Sequence, residues 1–221
     1  MNFKISALAA WLPGTQFNAP GIKVFADETP SAKHLPLPIK RRLSTISKAA
    51  LLCASALADA ETLGKIPLVF ASKWGEWTRE IELLRTWAET HEVSQGNFSL
   101  SVHNTPASLF SLTFANRETY TAIAGGDDSA ESALTEAVAQ LLEHERVLVV
   151  CGDEPPPGIS ADEARFEAAC IGILIERGND FSLECNTAAR GQISVSALAE
   201  FFSGTRGNAL AGRAISLRKN A

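Results

Sequence analysis

Two adjacent carboxylates pose the first chemical question. Asp127 and Asp128 follow Gly125-Gly126, and the apolar run Tyr120–Ala124 stands directly before them. A strand that turns at glycines into a helix presents the first helical residues where the helix dipole favours negative charge. A thiolate is easily held at such a place. Here the residues at the corner are acids, and the chain has no Cys between Cys53 and Cys151. Acids there have a simpler reading too: they satisfy free backbone N–H groups at a helix start. Asp128 with Glu131 three residues later has the spacing of a capping box. For Asp127 both readings stand open, because general acid–base work needs a second group in reach. His103, next to Asn104, is the histidine to weigh against a packing or interface role; His34, His91 and His144 sit in polar or helix-end contexts.

Other chemistry is thinly represented. Cys53, Cys151, Cys170 and Cys185 have neither metal-type nor CxxC spacing, and free Cys behaves as a small hydrophobe suited to a reducing compartment. Cys185 is the least clearly buried. Trp74 and Trp77 flank a glycine in KWGEW, a pair that either lines a pocket, anchors an interface or packs in a core. Gly125-Gly126 does not extend to a phosphate loop, and no GxSxG elbow occurs. No cofactor and no metal are expected.

The elements that must position these residues follow from periodicity. Ser44–Asp59 carries Ile46, Ala50, Leu51, Ala54 and Leu57 at helical spacing. Pro67 precedes LVFAS, a continuous apolar strand buried on both faces, as in a mostly parallel sheet. Glu76–Thr90 reads as a helix with Trp77, Ile81, Leu84 and Ala88 on one stripe. Ser129–His144 reads as another, Val147–Val150 as a second doubly buried strand, and Ala168–Glu176 as a strand able to return antiparallel. Ser194–Phe202 predicts a helix and Ala214–Arg218 a last strand. Thr15–Pro38 reads as an excursion without periodicity, and Pro155–Gly158 as a loop. The whole is expected to be one α/β domain over 1–221.

Composition narrows the classes. The chain has 221 residues, 46% hydrophobic and 20% charged, enough for one sizeable core. Its net charge of −5 argues against nucleic acid, and Lys40-Arg41-Arg42, its densest basic run, reads as a solvated helix start. Lys4 followed by Ile5–Leu12 is too short and too quickly broken by Pro13 for a signal peptide, and no stretch approaches the ~20 apolar residues of a membrane span. A cytoplasmic protein is expected.

The order and spacing of these pieces resemble the N-terminal half of β-ketoacyl synthases, in particular their short chain length factors. Phe98–Ala137 carries most of the resemblance. Lys4–Gly14, Arg41–Ala60, Ile66–Trp77, Arg146–Glu154 and Phe166–Gly178 are similar to further elements of the family. The resemblance implies a thiolase-like half: a mixed, mostly parallel five-stranded sheet with helices on both faces. Counted from Asn104, or backwards from Ala133–Ala137, Asp127 falls in the place of the family's nucleophilic Cys. The two histidines that the family's condensation needs come from its C-terminal half, whereas the last histidine here is His144. Glu118-Thr119 replaces the family's Gly-Pro, Ala130 replaces a usual Gly, and Asp127 stands where chain length factors usually carry Gln. The resemblance therefore implies a non-catalytic subunit that pairs with a full-length catalytic ketosynthase and shapes its acyl tunnel. The pathway implied is aryl polyene, type II polyketide or fatty-acid-like synthesis, with acyl groups arriving on an acyl carrier protein. His103, Asn104, Tyr120, Thr121, Ile123, Asp127 and Asp128 would lie at the interface or tunnel, with the strand Tyr120–Ala124 pairing across a twofold. The alternatives are a stand-alone acyl-thioester hydrolase or decarboxylase using Asp127 with His103, or a homo-oligomeric binding protein.

Overall fold

A computed structural model describes residues 1–154, 168–185 and 191–220. The core is a sheet in which β1 (Asn2–Trp11), β3 (Leu68–Ala71), β4 (Tyr120–Ile123), β5 (Arg146–Asp153) and β6 (Ala169–Cys185) lie in the order β1-β6-β5-β3-β4. β3 runs parallel to β4 and to β5, whereas β6 is antiparallel to β5 and to β1, so β6 alone points the other way. This is the expected mixed five-stranded sheet. Three short strands extend it. β2 (Lys23–Phe25) pairs with β1, β8 (Ile215–Lys219) with the second half of β6, and β7 (Ala209–Ala211) with β8.

β3 and β5 show why a continuous apolar run is the right signature here. Val69 and Ala71 face one core cluster together with Val147, Val149 and Cys151. Leu68, Phe70, Leu148 and Val150 face the other. Successive side chains of a strand point to opposite faces, so a strand between two helical layers must be apolar at every position. On one face lie α7 (Ser129–Gln140) and α8 (Val195–Phe202), contributing Leu134, Val138, Leu198 and Phe201. On the other lie α2 (Thr45–Ser55) and α6 (Thr105–Phe114), contributing Ile46, Leu51, Leu109 and Phe110. α2 starts where Ser44 Oγ accepts the Ser47 N–H at 3.1 Å, an N-cap of the usual kind.

Several boundaries differ from the sequence reading. The region read as an excursion contains β2 and α1 (Leu37–Lys40). β6 runs nine residues beyond Glu176, because β8 gives its distal half a partner. α7 stops at Gln140 rather than His144. α4 (Trp77–Thr90) is the expected helix, yet none of its residues is buried; beside it lies α5 (Gln95–Ser99). Pro155–Gly158 and the start of Phe166–Gly178 lie outside the described residues. Among the described residues, no helix is long and apolar enough to cross a membrane.

Candidate functional site

The corner after β4 is built as expected, with different bonds. Gly126 takes φ +60°, a conformation open to glycine, and a short 3-10 turn over Gly126–Asp128 feeds α7. Gly125 cannot be enlarged: a Cβ there would lie 2.9 Å from Ser132 Oγ and 3.1 Å from Ser129 Cα. Ser129 ties the turn, accepting the Gly125 N–H at 3.2 Å and donating to the Gly126 carbonyl at 2.8 Å.

The capping box does not form. Asp128 makes no side-chain cap bond; its carboxylate meets the Arg213 guanidinium at 3.4 Å. Glu131 turns away from the helix start and is buried. It accepts the backbone N–H groups of Arg213, Ala214 and Ile215 at 3.1, 2.7 and 3.1 Å. Three converging donors on the turn between β7 and β8 outcompete the single N–H that a capping box offers. Gly212 permits the approach, because a Cβ there would fall 2.1 Å from Glu131 Oε1.

Asp127 is paired within its own chain. Lys73 Nζ, from the loop after β3, donates to it at 2.6 Å, and Arg213 stands 3.7 Å from its second oxygen. The Lys73 hydrogen bond and charge, with Arg213 adding, hold the Asp127 carboxyl below its ordinary range. Lys73 is in turn set by Asp153 at the end of β5. Asp153 accepts the Lys73 and Trp74 N–H groups at 3.0 and 2.9 Å and the Ser72 hydroxyl at 2.5 Å. Burial nevertheless raises the Asp153 carboxyl above its usual range, and those bonds only partly offset it. Lys73, Asp127, Cys151, Asp153, Ile193 and Ser194 line a small cavity of about 130 Å³.

The thiols nearest this cavity are not poised to attack. Burial pushes the Cys151 thiol far up, and the Asp153 charge adds to the shift. Cys170 is raised as well, by its hydrogen bond with Cys53 and by burial. Cys53, Cys151 and Cys170 are buried and Cys185 is exposed, as the sequence indicates. Among the described residues, no three or more His, Cys, Asp or Glu gather as a metal site would require.

His103 and Asp127 have separate partners. A ring nitrogen of His103 lies 2.9 Å from the Ser72 carbonyl, and its ring sits 5.8 Å from Phe70. It also fills the space beside Gly75, where φ is +58° and a Cβ would come within 2.9 Å of the imidazole. His103 thus buttresses the turn that carries Lys73. The Trp74 ring on that turn meets the Trp77 ring at 5.5 Å and a 46° tilt, with Lys73 Nζ 4.9 Å over the Trp74 ring.

The remaining candidates gather at β4, the edge strand of the sheet among the described residues. Asn104 donates to the Tyr120 hydroxyl at 3.0 Å, and Ser108 lies 3.2 Å from it. Thr121 donates to Glu136 at 3.3 Å and accepts from Gln140 at 3.2 Å, while Ile123 packs half-buried against the core. Sequence reasoning missed Lys73, Arg213 and Asp153, and gave Glu131 a capping role in place of the one it has. The one local signal was a lone lysine directly after a doubly buried strand; the Arg213 and Glu131 contacts span more than eighty positions.

The comparisons fit this geometry. The family described as beta-ketoacyl synthase, N-terminal domain, matches residues 16–207. No curated protein matches in sequence. Among solved structures, the chain is similar to one chain of "Ketosynthase (ApeO) in Complex with its Chain Length Factor (ApeC) from Xenorhabdus doucetiae". The TM-score is 0.77 at 21% identity, covering 99% of this chain and 100% of that one. It is also similar to a beta-ketoacyl synthase from Burkholderia phymatum STM815, with TM-score 0.53 at 14% identity, covering 78% of this chain and 55% of that one. At these identities the likeness concerns the fold, which is thiolase-like. With the family match spanning most of its length, the chain belongs to the beta-ketoacyl synthase N-terminal domain family.

Proposed function

We propose that this chain is a non-catalytic, ketosynthase-like chain length factor. It pairs with a full-length catalytic ketosynthase that supplies the nucleophilic Cys and both histidines, and it shapes that enzyme's acyl tunnel. Residues 1–221 act as one ketosynthase-like domain, and the pathway is of the aryl polyene or type II polyketide kind, in the cytoplasm. Acyl groups reach the complex on an acyl carrier protein.

The observation that carries this reading is Asp127. It stands at the glycine corner where the family holds its thiolate, and it is an ion-paired carboxylate with cations on both oxygens. Such a group has no proton to give at neutral pH and its negative charge is already matched, so it serves poorly as acid, base or nucleophile. The edge strand β4, with a strand on only one side among the described residues, is further support, since an exposed edge strand invites pairing with another chain. Its residues Tyr120, Thr121 and Ile123, with His103, Asn104, Asp127 and Asp128, form the proposed interface and tunnel wall. The stand-alone hydrolase reading gains nothing, because His103 and Asp127 make no contact with each other.

Reconstitution tests the proposal. The purified chain, a partner ketosynthase, malonyl-loaded carrier and an acyl starter are combined, with each protein omitted in turn. Expected are no condensation by this chain alone, product from the pair, and a changed product length when this chain is exchanged for a relative. Condensation by the homogeneous chain alone would sink the proposal.

A further inference from the structure

α4 poses a question of support. It has 14 residues and none of them is buried. A helix of that length is marginal in water unless its apolar face is packed. Leu84 and Trp87 on its stripe stay exposed, so the chain's own core does not pack that face. What ties the helix down lies at its start. Glu76, its N-cap residue, is buried although it carries a charge. One carboxylate oxygen of Glu76 accepts the hydroxyls of Ser44 and Ser47, at the start of α2, at 2.8 and 2.6 Å. The other accepts Arg79 Nε at 3.2 Å, and Arg79 Nη2 donates on to the Arg42 carbonyl at 2.9 Å. Glu154, buried just after β5, faces the same junction beside Thr45 and Thr78.

Glu76 thus joins an unburied helix to a buried one, since α2 packs eight of its residues into the core. Taking a carboxylate out of water is costly, and an apolar side chain of similar size would hold the two helix starts together at least as firmly. What a charge clamped by three directional donors supplies instead is one fixed geometry. The chain continues from α4 through α5 to Asn104, which donates to Tyr120 of β4 and so links this face to the proposed β4 interface. We propose that Glu76 is a positioning residue for the partner interface. Through Ser44, Ser47 and Arg79 it holds α4 at one angle, so that Leu84 and Trp87 meet the ketosynthase of the function proposed above, on which this inference rests.

The test is a double-mutant cycle on the complex. Affinity for the ketosynthase is measured with wild type, Glu76→Gln, Trp87→Ala and the double variant, and amide exchange of the isolated chain is read beside it. Glu76 and Trp87 stand about 16 Å apart along the helix, too far to touch, and independent sites at such a distance add. Expected for Glu76→Gln are a complex at least about tenfold weaker, faster exchange over Trp77–Thr90, and β5 and β6 as protected as in wild type. Trp87→Ala should then cost about threefold less affinity in the Glu76→Gln background than in wild type, because a misplaced stripe has less to lose. Ser47→Ala, which removes one donor, gives a smaller loss in the same direction and takes the place of Glu76→Gln in the cycle if that variant folds poorly. Unchanged affinity in both clamp variants, or strictly additive losses, overturns the inference. So does exchange that rises equally in β5 and β6, the mark of a general loss of stability. If the wild-type chain binds no ketosynthase, the proposed function fails and the inference with it.

Discussion

α2 and α4 are helices of similar length and pattern with opposite fates. In α2, Ile46, Ala50, Leu51 and Ala54 fall at helical spacing and every one is buried against β5 and β6. In α4, Ile81, Leu84 and Trp87 mark an equally clear stripe, and no residue of the helix is buried; Leu84 is 58% and Trp87 52% exposed. Phe98 on α5 and Leu112 on α6 are 64% and 60% exposed. Exposed large apolar side chains that form a contiguous patch mark an interaction surface. The contrast teaches that periodicity specifies a helix and its apolar face but says nothing about which molecule covers that face. For α2 the cover is the chain's own sheet. For α4 the proposed function supplies it from the partner.

The comparison breaks first at α2. Leu51→Ala is expected to destabilise the chain by about 2–5 kcal/mol, through lost burial and the cavity left behind, read as a drop in denaturant midpoint. An equivalent Leu84→Ala should stay within about 0.5 kcal/mol in the isolated chain. Glu131→Ala comes next, at about 3 kcal/mol, because three backbone donors lose a charged acceptor; Glu131→Gln should recover part of it. Gly75→Ala, forced into a left-handed conformation against His103, should cost about 1–3 kcal/mol in a thermal melt. Trp87→Ala sharpens the contrast from the other side. It should leave the chain's own stability almost unchanged and weaken its complex with a ketosynthase about tenfold or more, since buried Trp residues carry much of an interface's energy. A loss of intrinsic stability as large as that of Leu51→Ala would show that α4 is covered by its own chain after all.

The smallest effect concerns Asp127. Its ion pairs are partly exposed, so Asp127→Asn should change stability by only about 0.2–1 kcal/mol. The direction is fixed by linkage. A carboxyl held below its unfolded pKa contributes stability above that value, and the contribution is lost as pH falls through the lowered one. Asp153 and Glu154 act oppositely, because burial raises both. The folded protein keeps their protons where the unfolded chain has lost them, so stability falls as pH rises through that window. In Asp127→Asn, melting temperature against pH should therefore keep the decline with rising pH that Asp153 and Glu154 cause and lose the opposite contribution of Asp127.

Much of the fold was legible because its signals are local. The doubly apolar strands at Leu68 and Val147, the helix starts near Ser44 and Ser194 and the glycine corner at Gly125 all read correctly within a few residues. The site was less so. The place of Asp127 followed from resemblance, but its partners Lys73 and Arg213 come from a loop after β3 and a turn near the end of the chain. Asp128 and Glu131 had the spacing of a capping box, yet the turn between β7 and β8 offered Glu131 three donors that no local pattern reveals.

The most direct test of the central claim is the mass and stoichiometry of the complex recovered when this chain is co-expressed with a full-length ketosynthase. The account predicts a stable one-to-one heterodimer. A chain that purifies as a well-behaved monomer or homodimer, with the ketosynthase left behind, would contradict it.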